Sequence, residues 1–304
     1  MVETRAACPL RWRLGQHVPV PVILAGLSAL AFGFGDLLGG VAIRRSGRPG
    51  AALGVAMVAT LVGAVLIGLL LLVRPPEVVR WQDIAWPVGA GALMVVTRPL
   101  LYLGMARGPV AVFAPAFALV MMVVPIVVGP LIGQALNGME IVGVALAIPA
   151  VVLLSGEGRL PKPGVVLRSP VLGLAVVVGT SVGTAGLLLT QAAPEAGEVP
   201  AFAVLMTGVM VMPWILRQRT GSFWPEREIL GFGSVLGVSS AVAFVLSTAA
   251  YLRGSAAIVT ALIAMSPGVS VLISWRFLGE RLYAMQVLGG AFGMVAVTAF
   301  ALAG

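Results

Sequence analysis

Charge is what this chain has least of: 10% of its 304 residues are Asp, Glu, Lys or Arg, against 60% hydrophobic. A soluble domain carries about 25% charged residues, because its surface must face water. A tenth cannot cover a soluble protein of this size, so lipid must supply part of the solvent. Cysteine and histidine are nearly absent, at one each, Cys8 and His17. One cysteine permits neither an intrachain disulfide nor a cysteine-rich metal site. One histidine and 11 scattered acidic residues leave almost nothing for a zinc site or a Ser/His/Asp triad. No G-x-x-x-x-G-K-[S/T] segment occurs, which excludes nucleotide hydrolysis through a P-loop. These absences point away from an enzyme, and no cofactor is expected. The net charge of +8 is spread between apolar runs with no basic patch to track phosphates, so no nucleic-acid partner is expected. The partners in view are a small-molecule solute and membrane lipid. A monomer suffices for this, and a homodimer is compatible with it.

What the chain does have is long apolar runs, with a mean hydropathy of +1.08. About 20 apolar residues cross the roughly 30 Å of a bilayer core. Ten such segments are expected, at 21–43, 51–73, 84–106, 109–128, 139–155, 169–192, 199–216, 229–252, 255–275 and 284–303. Short breaks such as Arg74-Pro75-Pro76-Glu77 separate them. Spans this long and uniformly apolar are helices, since a helix satisfies its backbone locally inside lipid. Arg5, Arg11 and Arg13 before Ala29-Leu30-Ala31 imitate a cleavable leader. The apolar run continues to Ile43, so the expectation is a span.

Sliding the chain on itself by 146 residues aligns Arg107-Gly108 with Arg253-Gly254 and, without a gap, Gly133, Leu136, Met139 and Gly143 with Gly279, Leu282, Met285 and Gly289. It also places Gly33 on Gly179, Gly40 on Gly186 and Gly91 on Gly237. The fold expected is an all-α integral membrane protein, ten transmembrane helices as two inverted five-helix repeats. Its parts would be an N-terminal segment (1–20), a first repeat (21–155), a linker (156–168) and a second repeat (169–304). Five crossings per half force the second half to enter from the opposite face. Inverted repeats supply two pseudo-symmetric packings, one open to each side, which is how alternating access is commonly built.

The repeat resembles the EamA-type members of the drug/metabolite transporter superfamily. The resemblance rests on Gly279-Glu280-Arg281-Leu282 followed by Gly289, and on Tyr251-Leu252-Arg253-Gly254 before the ninth span. In the first half Gly133-Gln134-Ala135-Leu136 departs from the motif by lacking both charges. The resemblance implies a ten-helix, multi-pass exporter of amino acids or other small metabolites in the cell membrane. Two other functions are weighed beside it: a membrane-embedded enzyme on a lipid substrate, and a scaffold subunit that transports nothing. The first wants a cluster of His, Asp or Glu at one interface, and the second predicts no aqueous cavity.

Ionisable side chains deep in spans are costly and mark sites by default. Asp36 and Arg98 stand at matched depth in the first and third spans and are expected to face each other. They form either a binding or ion-coupling site or a structural pair between helices; alternatively, Arg98 snorkels to an interface. Ser181, Ser240 and Tyr251 are further candidates for lining a cavity, or are interhelical glue. Pro115 and Pro125 in the fourth span, and Pro267 with Gly268 in the ninth, are expected to break those helices, a pointer to a binding cavity. Glu280 reads as a helix cap. Loops after odd-numbered spans hold twelve Lys or Arg and the opposite side six. That imbalance favours termini outside the cytoplasm, whereas the resemblance implies termini inside.

Overall fold

The computed structural model describes residues 20–47, 50–107, 110–155, 169, 171–278, 281 and 283–303. The candidate linker, and Gly279, Glu280 and Leu282 of the motif, lie outside the described residues. Regular structure among the described residues is helical throughout: α1 (Val20–Ser46), α2 (Ala51–Val73), α3 (Gln82–Arg107), α4 (Val110–Val128), α5 (Gly138–Ser155), α6 (Val171–Leu189), α7 (Val199–Thr220), α8 (Arg227–Tyr251), α9 (Ala256–Ile263), α10 (Ser266–Leu278) and α11 (Ala284–Ala303). Ten stretches among them are long and apolar enough to cross a membrane. Helices α9 and α10 together make one of these spans, Ala256–Ile273.

The main packing is between halves rather than within them. α5 lies on α11, α1 and α2 on α8, α3 on α6 and α7, α2 on α7, and α4 on α6, while α1 also meets α9 and α10. Exchanging each helix for its counterpart 146 residues away returns the same set. α1 against α8 becomes α6 against α3, α2 against α8 becomes α7 against α3, and α1 against α9 and α10 becomes α6 against α4. Lipid offers no hydrophobic drive between helices, so small residues must let the backbones approach closely. A Cβ on Gly33 would meet the Ser266 carbonyl at 2.5 Å, and one on Gly179 the Phe117 carbonyl at 2.6 Å. Gly91 lies in the same way on α7, and its counterpart Gly237 on α2.

Polar side chains bind the loops where the described chain begins and ends. Gln134 Nε2 donates to Thr190 Oγ1 at 2.8 Å, and Gln134 Oε1 accepts from the Ala256 N–H at 3.0 Å. That amide is one of the orphan donors that open α9. Asp83 accepts from the Ala193 N–H at 2.7 Å, tying the start of α3 to the α6–α7 loop. Asn137 Nδ2 donates to the Ala303 carbonyl at 3.2 Å, and Gly254 packs on Pro21. Both ends of the described chain therefore sit at one face, as an even number of crossings requires.

The prolines divide into two cases. Span nine is broken as expected: α9 stops at Ile263 and α10 starts at Ser266, with Pro267 and Gly268 in its first turn. Pro267 has no N–H for the carbonyl one turn back, yet suits a helix start, where that N–H has no partner anyway. The expected break at Pro115 and Pro125 is corrected by the structure, because α4 runs through both. Each proline removes one hydrogen bond while the rest of the ladder holds. The Met121 carbonyl, one turn before Pro125, faces Gly183 of α6, whose missing Cβ lets α6 lie along α4 and brace it.

Candidate functional site

Where the two halves meet, a cavity of about 950 Å³, its opening included, lies between α1, α3, α4, α6, α7, α8, α9 and the start of α10. Six pairs of lining residues are 146 apart: Asp36 and Val182, Ala90 and Leu236, Met94 and Ser240, Arg98 and Phe244, Leu101 and Ser247, Phe117 and Ile263. The cavity therefore sits where equivalent surfaces of the two halves face each other. Its chemistry does not share that symmetry. The first half gives the charged members, Asp36 and Arg98, and the second half answers with valine and phenylalanine.

Asp36 and Arg98 both line this space, and no direct ion pair joins them, which leaves no structural pair of the kind that was one of the two alternatives. Arg98, 7% exposed, donates from Nη1 to Thr60 Oγ1 at 2.7 Å, and its guanidinium lies 5.1 Å from the centroid of the Phe244 ring. Half-buried Asp36 has no hydrogen-bond partner among the described residues, and neither of its oxygens is sealed from the cavity. Tyr102 lies one turn beyond Arg98, is buried, and lays its ring on Gly39, itself one turn beyond Asp36. Thus α1 and α3 present an uncommitted carboxylate and a held guanidinium, with a phenol one turn further on.

Of the other candidates, Ser240 and Tyr251 line the cavity and Ser181 does not. Tyr251 and Thr260 share a hydrogen bond of 3.0 Å at the end nearer the described termini. Ser266, in the break of span nine, lines the cavity next to Pro267 and Gly268, which do not. Pro115 and Pro125 do not line it either. Other span hydroxyls act as glue: Ser28 donates to the Ala243 carbonyl at 3.0 Å and Ser239 to that of Ala31 at 2.6 Å. The sequence reading missed Thr60, Thr97 and Tyr102, single polar residues on helix faces that hydropathy alone cannot orient. The remaining walls are apolar, among them Phe32, Met94, Phe117 and Met121.

Among the described residues, one ionisable group outside the spans is perturbed. Burial pushes the Glu198 carboxyl above the usual glutamate range, and the charges of Arg253 and then Arg74 pull it partly back. Its Oε2 is buried without a hydrogen-bond partner.

Ten apolar spans around an off-centre pair of charges is the layout of a membrane carrier, and residues 170–302 match the model of the EamA-like transporter family. Over that stretch the chain is similar to the EamA-like transporters. The ten apolar spans among the described residues make it a multi-pass membrane protein, and the match makes its second half transporter-like. A crystal structure with 16% sequence identity covers 94% of this chain and 99% of its own, with a TM-score of 0.68. At that identity it shows a shared fold alone. Among curated proteins none matches the chain. The family match lies in the second half of the chain, whereas both cavity charges come from the first.

Proposed function

We propose that the protein exports a small zwitterionic metabolite, an amino acid or a related compound, across the cell membrane by alternating access, as a secondary transporter. The observation that carries this reading is the cavity itself, where surfaces 146 residues apart face one another and only one half contributes charge. Inverted repeats exchange their packings in two states, so a site on their shared axis opens to each side in turn. An uncommitted Asp36 suits an ammonium group and Arg98 a carboxylate, while the methionine and phenylalanine walls suit an apolar tail. Ions in a poorly solvated site favour a partner that satisfies both.

The test is counterflow in liposomes. Norleucine carries both charges on a short apolar chain, and hexanoate and hexylamine each carry one. Unlabelled norleucine inside should drive transient accumulation of labelled norleucine, with hexanoate and hexylamine competing weakly. Absence of counterflow for norleucine and for a wider panel of zwitterionic metabolites would overturn the reading.

A further inference from the structure

Arg98 lines the central cavity and also a narrow gap where Thr60, Gly91, Gly208 and Phe244 meet. Its guanidinium thus stands between the cavity and the packed face of α2, and something must hold its N–H groups on the α2 side. Thr60, on α2 and outside the central cavity, is placed to do so. A hydroxyl has one proton to give and lone pairs to accept with. The Thr60 proton goes to the Ala56 carbonyl at 2.7 Å, which leaves the oxygen as an acceptor for Arg98 Nη1 at 2.7 Å. Thr60 is 2% exposed, and its methyl lies 2.7 Å from where a Cβ of Gly208 would stand, so the α7 backbone limits its rotation. On the other side the guanidinium lies over the Phe244 ring.

We propose that Thr60 is a positioning residue for solute recognition: it holds the Arg98 guanidinium in the slot between α2 and α8, so that Asp36 stays unpaired and the cavity keeps separate cationic and anionic ends. The assignment rests on the reading of this cavity as the solute site. Replacing Thr60 with valine keeps the shape and deletes the acceptor. The N–H groups then find their nearest partners in the cavity, and the positive charge moves toward position 36. Serine keeps the acceptor.

The test places a cysteine at position 36 (Asp36→Cys) in a Cys8→Ser background. It compares labelling rates of an anionic and a cationic methanethiosulfonate reagent in the reconstituted full-length protein. Arg98→Gln sets the baseline without the cation. Thr60→Val should raise the anionic-to-cationic rate ratio by about threefold or more, the size of effect a displaced unit charge has at close range. Thr60→Ser should leave the ratio at the parent value. A ratio unchanged by Thr60→Val, or changed equally in the Arg98→Gln background, would overturn the proposal. A thermal-stability cycle without Asp36→Cys gives a second readout. Thr60→Val should lower Tm when Arg98 is present and have no effect when it is combined with Arg98→Gln, and equal losses in both backgrounds would also overturn it. If neither reagent reaches position 36 in any variant, the aqueous-cavity reading fails, and the stability cycle alone decides the role of Thr60.

Discussion

Asp36 and Arg98 share a cavity without sharing a bond, and that separates the consequences of replacing them. Removing one partner of a directly bonded buried pair strands the other charge, typically at about 3–5 kcal/mol. Asp36 has no such partner here, and its oxygens open on the cavity. Asp36→Asn should therefore fold with a Tm within a few degrees of the parent while norleucine counterflow falls at least about tenfold, the loss of one charge-assisted contact. Arg98→Gln removes a hydrogen bond to Thr60 as well. It should lower stability by about 1.5–3 kcal/mol in addition to abolishing flux. A large loss of stability in Asp36→Asn, measured by thermal unfolding in detergent, would show that the carboxylate is structural. Glu198 has its own signature. Its folded-state value is raised by burial, so its contribution to stability is fully present below the ordinary glutamate range and is lost as pH rises through the folded-state value. Melting curves should show the parent gaining stability on acidification relative to Glu198→Gln, with the two curves converging at low pH. A difference that does not vary with pH would contradict this.

Between helices, fit is decided by the absence of side chains. Gly33 on α1 leaves no room for a methyl group between itself and Ser266 or Val269 at the start of α10, and Gly179 leaves none against α4. Overpacking of this kind costs about 1–3 kcal/mol. Gly33→Ala and Gly179→Ala should each lose that much stability. Gly26→Ala, where nothing lies within 4 Å, should be neutral or slightly stabilising, and thermal unfolding of the three variants checks the ordering. The same contacts explain what could and could not be read ahead of the structure. Spans were legible because hydropathy sets them locally, and the break at Pro267 because proline, serine and glycine coincide there. Pro115 and Pro125 misled because a proline reports a missing hydrogen bond, while the glycines of a distant helix decide whether the helix still runs on. Ser181 missed the cavity by one position. Its neighbour Val182 lines it instead, since one residue turns the helix surface by about 100°.

At the level of the whole molecule, helices related by the 146-residue shift make equivalent contacts. Residues it pairs are packed against equivalent helices and face each other across one cavity. Charge was legible for the same reason, since Asp36 and Arg98 are too costly to place in a span without a polar space to receive them. What stayed hidden was the partner of each charge, because Thr60 and Phe244 come from helices that only the folded arrangement brings to Arg98. Alternating access requires this one cavity to open to each side of the membrane in turn. Val182, the neutral counterpart of Asp36, provides a substrate-independent probe. In a Cys8→Ser background, Val182→Cys should react with a membrane-impermeant thiol reagent in right-side-out vesicles and also in inside-out vesicles. Reaction from one side only, or from neither, would contradict alternating access at this site.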